Sequence, residues 1–75
     1  MVKFKLISFI DGYYYYEIYP EGSIDDIGWI IFNPNTRKVK EKHYPNMGEQ
    51  YLNHAISGFQ DKNGEYKKEG IVAWY

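Results

Sequence analysis

The chain has 75 residues, a net charge of −1, no cysteine and 20 % aromatic residues. That length makes one domain, 1–75, which buries only about 60 % of its unfolded surface and so depends on a dense, here aromatic, core. The balanced charge gives no bulk attraction to nucleic acid or anionic membrane, and the absence of cysteine excludes disulfides and thiolate metal sites.

The first element is a hairpin. Strand formers run from Val2 to Ile10 and from Tyr13 to Tyr19, with Asp11-Gly12 between them. Asp-Gly suits a type I′ turn, whose two central residues need positive φ. A regular ladder from that turn places Ile10, Ser8, Leu6 and Phe4 opposite Tyr13, Tyr15, Glu17 and Tyr19. Phe9, Ile7 and Lys5 then meet Tyr14, Tyr16 and Ile18 on the other face. Both faces carry aromatics, so one is core and the other is covered or used.

Pro20-Glu21-Gly22-Ser23 reads as a turn, and Ile24-Asp25-Asp26 as loop. Ile27 to Phe32 is a short apolar run expected of a central strand, with Gly28 marking a bulge or a close backbone approach. Asn33-Pro34-Asn35-Thr36 is a second turn. Arg37 to Tyr44 returns as an edge or half-exposed strand, with Lys38, Lys40 and Lys42 on one face and Val39, Glu41 and His43 on the other. A two-residue loop would set Lys40 across from Trp29 and Val39 across from Ile30; a three-residue loop would pair Val39 with Ile31.

Asn46 and Glu49 have capping-box spacing at a helix start. Met47, Tyr51, Leu52, Ala55, Ile56 and Phe59 form one apolar stripe at helical spacing, and Lys62-Asn63-Gly64 suits the helix end. Gly70 to Tyr75 is a last strand expected to pair inside the sheet. The fold class is therefore α+β: a small, mostly antiparallel sheet of about five strands, in the order β-β-β-β-α-β, with one amphipathic helix packed on one face.

Tyr19-Pro20-Glu21-Gly22, the Tyr51…His54-Ala55 portion of the helix and the closing Gly70-Ile71-Val72-Ala73-Trp74-Tyr75 together resemble a group of short, uncharacterised proteins of Gram-positive bacteria and their phages. These end in a similar Ala-Trp-Tyr. The resemblance implies a complete small cytoplasmic protein and brings no activity. Lys3 and Lys5 interrupt any leader-like apolar run, and no stretch has the length of a membrane span.

Little in the sequence asks for catalysis. His43 and His54 have no second ligand at helical spacing, Asp25-Asp26 reads as a solvated turn, and no serine has a nucleophile setting. No catalytic residue, metal or cofactor is expected. The surplus of aromatic surface over what one helix covers points to a non-enzymatic interaction face of Phe9, Tyr14, Tyr16 and Trp29, taking a protein partner or a second copy of the chain. The alternative is a weak single-stranded nucleic-acid binder, with bases stacked on tyrosines and Arg37, Lys38, Lys40 and Lys42 following the backbone.

Overall fold

The computed structural model describes residues 1–74. It contains β1 (Val2–Ile10), β2 (Tyr13–Pro20), β3 (Gly28–Phe32), β4 (Val39–His43), α1 (Glu49–Ser57) and β5 (Glu69–Val72). The strands form one antiparallel sheet in the order β4-β3-β2-β1-β5, and α1 packs on one face of it. The expected α+β architecture is the one observed.

The β1–β2 turn has Asp11 at φ 53 and Gly12 at φ 82, both in the left-handed region, as the dipeptide predicts. Ile10, Phe9 and Ser8 pair with Tyr13, Tyr14 and Tyr15 in the expected register. A β-bulge then absorbs Ile7, so Leu6 pairs with Tyr16, Lys5 with Glu17 and Phe4 with Ile18. One extra residue exchanges the faces of everything before it. Val2, Phe4 and Leu6 thereby join Tyr14, Tyr16 and Ile18 on the helix side.

That side is the core. Val2, Phe4, Tyr16, Ile18, Ile30 and Phe32 from the sheet meet Tyr51, Leu52 and Ala55 of α1 and the following Phe59. Tyr16 is wholly buried, stacks on Phe59 with ring centroids 3.9 Å apart, and donates its hydroxyl to the Lys67 carbonyl at 2.6 Å.

Several boundaries differ from expectation. The β3–β4 connection spans Asn33 to Lys38 and gives neither anticipated register: Phe32 pairs with Val39 and Trp29 with His43. The Asn33 side chain accepts the amides of Asn35 and Thr36, and Arg37 turns the chain back at φ 61. A second bulge between the Ile31 and Phe32 pairings absorbs Lys40. It breaks the expected alternation and puts Val39 and Lys42 opposite the core residues Phe32 and Ile30.

Asn46 does not cap the helix. Gly48 occupies that position without a side-chain cap, while the Asn46 and Met47 amides donate to Asp26 at 2.6 and 2.8 Å. The Asp25-Asp26 loop is thus a tie across the fold and more than a solvated turn. Met47 and Ile56 are exposed, leaving a narrower helical stripe than the spacing suggests. The helix ends at Gly58, where a Cβ would lie 2.4 Å from Val72 Cγ2. Residues 60–66 form a tight bend closed by a Gln60–Tyr66 bridge and held by the Asp61 carboxylate. β5 is an edge strand paired only with β1, not an interior one; Tyr75, expected at its end, lies outside the described residues.

Candidate functional site

The two faces of the sheet differ because α1, the one helix among the described residues, lies entirely on the core side. On the other side stand Tyr13, Tyr15, Glu17 and Tyr19 from β2, with Trp29 and Ile31 from β3, all half-buried. Alternation along each strand puts them there, since Tyr14, Tyr16, Ile18, Ile30 and Phe32 point to the helix.

Glu17 organises this open face. Its carboxylate accepts the Tyr15 hydroxyl at 3.1 Å and the Tyr19 hydroxyl at 2.9 Å. Across the strands it lies between Trp29 on β3 and Lys5 on β1. Trp29 stacks on His43 with centroids 4.4 Å apart, and the Lys40 ammonium sits 5.0 Å from the Tyr13 ring centroid. The result is a fixed aromatic surface whose one central charge is held by two phenols.

Burial first, then the hydrogen bond and charge of Glu17, raise the Tyr15 phenol and push Tyr19 up to about 12. Raised phenol pKa values mean that the fold favours the neutral rings. Their contribution to stability is complete below about pH 10, the ordinary phenol pKa, and is lost as pH rises through the folded values. An ultraviolet titration of phenolate formation should show Glu17→Gln ionising Tyr15 and Tyr19 at lower pH than wild type. An unchanged titration curve would show that Glu17 does not hold them.

Three of the four sequence-selected interaction residues, Phe9, Tyr14 and Tyr16, are brought together, but on the helix side and away from Trp29. Tyr16 is core; Tyr14 packs between Phe9, Tyr66 and Phe32 on the helix side; only Trp29 reaches the open face. The cause is the Ile7 bulge. In an unbroken ladder Phe4 and Leu6 would share a face with Tyr15 and Tyr19 and mark it as core, leaving Phe9, Tyr14 and Tyr16 spare. The missed residues, Tyr13, Tyr15, Glu17 and Tyr19, carry a signal nonetheless: a carboxylate two positions from a tyrosine on either side lies on one strand face with both.

The four cations of the alternative reading also separate. Lys40 joins Tyr13 on the open face, Lys42 lies across from core Ile30 with its ammonium over Tyr44, and Lys38 belongs to the β3–β4 loop. Arg37 lines a groove of about 340 Å³ with Ile30, Phe32, Val39, Ile56 and Tyr66 on the helix side.

No catalytic constellation forms among the described residues. His43 and His54 are far apart in the sheet and helix, each stacked on a tryptophan, Trp29 and Trp74 respectively. The Ser57 hydroxyl is engaged by the His54 carbonyl and Ser23 by the Asp25 amide. Among the described residues, no group of three or more His, Cys, Asp or Glu side chains is placed to share a metal ion. No described helix is long and apolar enough to cross a membrane. Comparison of the chain with protein-family models, with curated proteins and with solved structures finds no match.

Proposed function

We propose that this chain is a non-enzymatic protein-interaction module whose contact surface is the open sheet face. The observation that carries the reading is the set of Tyr13, Tyr15, Tyr19, Trp29 and Ile31 on the side that α1 leaves bare. Tyrosine and tryptophan supply large contact area at little cost in side-chain entropy and are enriched in protein interfaces. Charge favours a protein over a polyanion. Lys3, Lys5 and Lys40 are matched by Glu17, Glu41 and Glu69, whereas single-strand platforms carry a clear cationic excess. The cysteine-free composition suits a reducing compartment, and we place its action in the cytoplasm.

A photo-cross-linking phenylalanine analogue at position 15 should capture a protein in cells, while the same group at Lys62, on the far bend, should not. Excess wild-type chain should compete the capture, and a folded Tyr15→Ser/Trp29→Ser variant should not. Equal capture from both positions, or equal competition by the variant, would remove the open face from consideration. Binding of a single-stranded oligonucleotide that weakens steeply with salt would instead favour the nucleic-acid reading.

A further inference from the structure

β1 is nine residues long, but β5 covers only part of it. β5 pairs with Val2 to Lys5, and the last contact on that side is the Leu6 amide donating to the Lys68 carbonyl at 2.7 Å. From Ile7 to Ile10 the strand has, among the described residues, a paired neighbour on the β2 side alone. Beside this stretch, where β5 departs, Leu6, Ile7, Phe9, Lys68 and Glu69 line an open cleft.

The free edge is primed for pairing. Residues flanking a two-residue turn exchange both backbone hydrogen bonds, so Ile10 and Tyr13 form a bonded pair and Phe9 and Tyr14 the next, unbonded one. The Phe9 N–H and C=O therefore point away from β2, toward the free edge. The side chains are apolar and exposed: Ile7 44 %, Phe9 59 % and Ile10 63 %. Native edges are usually blunted by lysine, proline or a bulge that twists them. β4 follows that practice with Lys40 and Lys42. Ile7 to Ile10 contains no charge and no proline, and its bulge lies at one end only.

We propose that this edge pairs antiparallel with the same edge of a second copy, about a two-fold axis through Phe9. In that register Phe9 opposes Phe9 of the partner subunit as a bonded pair, and Ser8 opposes Ile10 of the partner subunit. Past that pair the ladder stops, because Ile7 is the bulged residue and Asp11 lies in the turn. The partner subunit's Asp11 carboxylate is thereby carried to the end of the stretch where Lys68 stands beside Leu6. The same arrangement recurs at the other end, as an isologous contact requires. These matched ends, and the absence of any like-charge opposition between them, favour a second copy over an unrelated strand. The contact is small, well under the roughly 1,000 Å² of a lasting interface, so association is weak and reversible. It joins two sheets into one and presents the open face twice on a continuous surface. It does not depend on what that face binds.

Light scattering across a concentration series from micromolar to millimolar should show the molar mass rising from 9.0 kDa toward twice that value. Hydrogen exchange at the wild-type Phe9 amide should slow as concentration rises. Ser8→Lys/Ile10→Lys, on the solvent side of the strand, should remain monomeric throughout, while Tyr15→Ser/Trp29→Ser should associate like wild type. Four results would each overturn the proposal. These are a wild-type monomer at every concentration, Phe9 exchange independent of concentration, undiminished association of the lysine variant, and loss of association in the open-face variant.

Discussion

Tyr16→Ala should remove most of the stability of the fold. The ring is wholly buried, stacks on Phe59 at 3.9 Å, meets Phe4 edge-on at 5.9 Å and faces Phe32 at 6.1 Å. Removing a buried aromatic ring costs about 3–5 kcal/mol, through lost transfer energy and the cavity left behind. A small domain has only about 5–15 kcal/mol in total, and one of this size lies toward the bottom of that range. Tyr16→Phe isolates the hydroxyl. It keeps the ring but deprives the Lys67 carbonyl of its donor, for about 1 kcal/mol. Urea denaturation of the two variants should separate ring from hydroxyl by several-fold in lost stability. A Tyr16→Ala protein with wild-type midpoint would show that the ring is not core.

Gly28→Ala is the smallest change with a large expected effect. A Cβ on Gly28 would lie 2.7 Å from Pro45 Cδ, 2.9 Å from the His43 carbonyl oxygen and 3.0 Å from Ile18 Cγ1. Neither strand beside β3 can retreat easily. β2 is pinned by the core through Ile18, and the obstructing oxygen on β4 belongs to its backbone. Overpacking of this kind typically costs about 1–3 kcal/mol. Displacing β4 would also separate His43 from Trp29, so loss of stability should come with a change in tryptophan fluorescence. A variant as stable as wild type, with unchanged fluorescence, would mean that β3 and β4 are less closely apposed than the structure has them.

The element types were legible because local chemistry dictates them. Asp11-Gly12 selects its turn, and the apolar spacing around Tyr51, Leu52 and Ala55 leaves only a helix. Pro20, by contrast, expected to end the strand, pairs with Val2 as the last residue of β2, and the Glu21 amide still donates to the Met1 carbonyl. The face assignments were not legible, because both bulges hide from alternation. Ile7 is as good a strand residue as its neighbours, and nothing local marks it as the one left unpaired; the core decides, by demanding Phe4 and Tyr16 on the same side. Lys40 is concealed in the same way within a run of alternating cations. The helix start was misread for a different reason. Asn46 has cap chemistry, but a carboxylate twenty positions earlier, Asp26, takes the amides of that turn. A tertiary partner outcompeted a local rule.

The strand order has a consequence for how the molecule assembles. β4, β3, β2 and β1 are sequence neighbours laid side by side, so each of their pairings closes a short loop. The β1–β5 ladder instead brings Val2 to Val72, across nearly the whole chain. Loop-closure entropy rises with the length enclosed, and such contacts are rewarded only after the intervening chain is ordered. The β1–β5 ladder is therefore expected to close last, once the meander and helix have begun to order β1. Until then the entire length of β1, and not only its last four residues, stands open at its outer side.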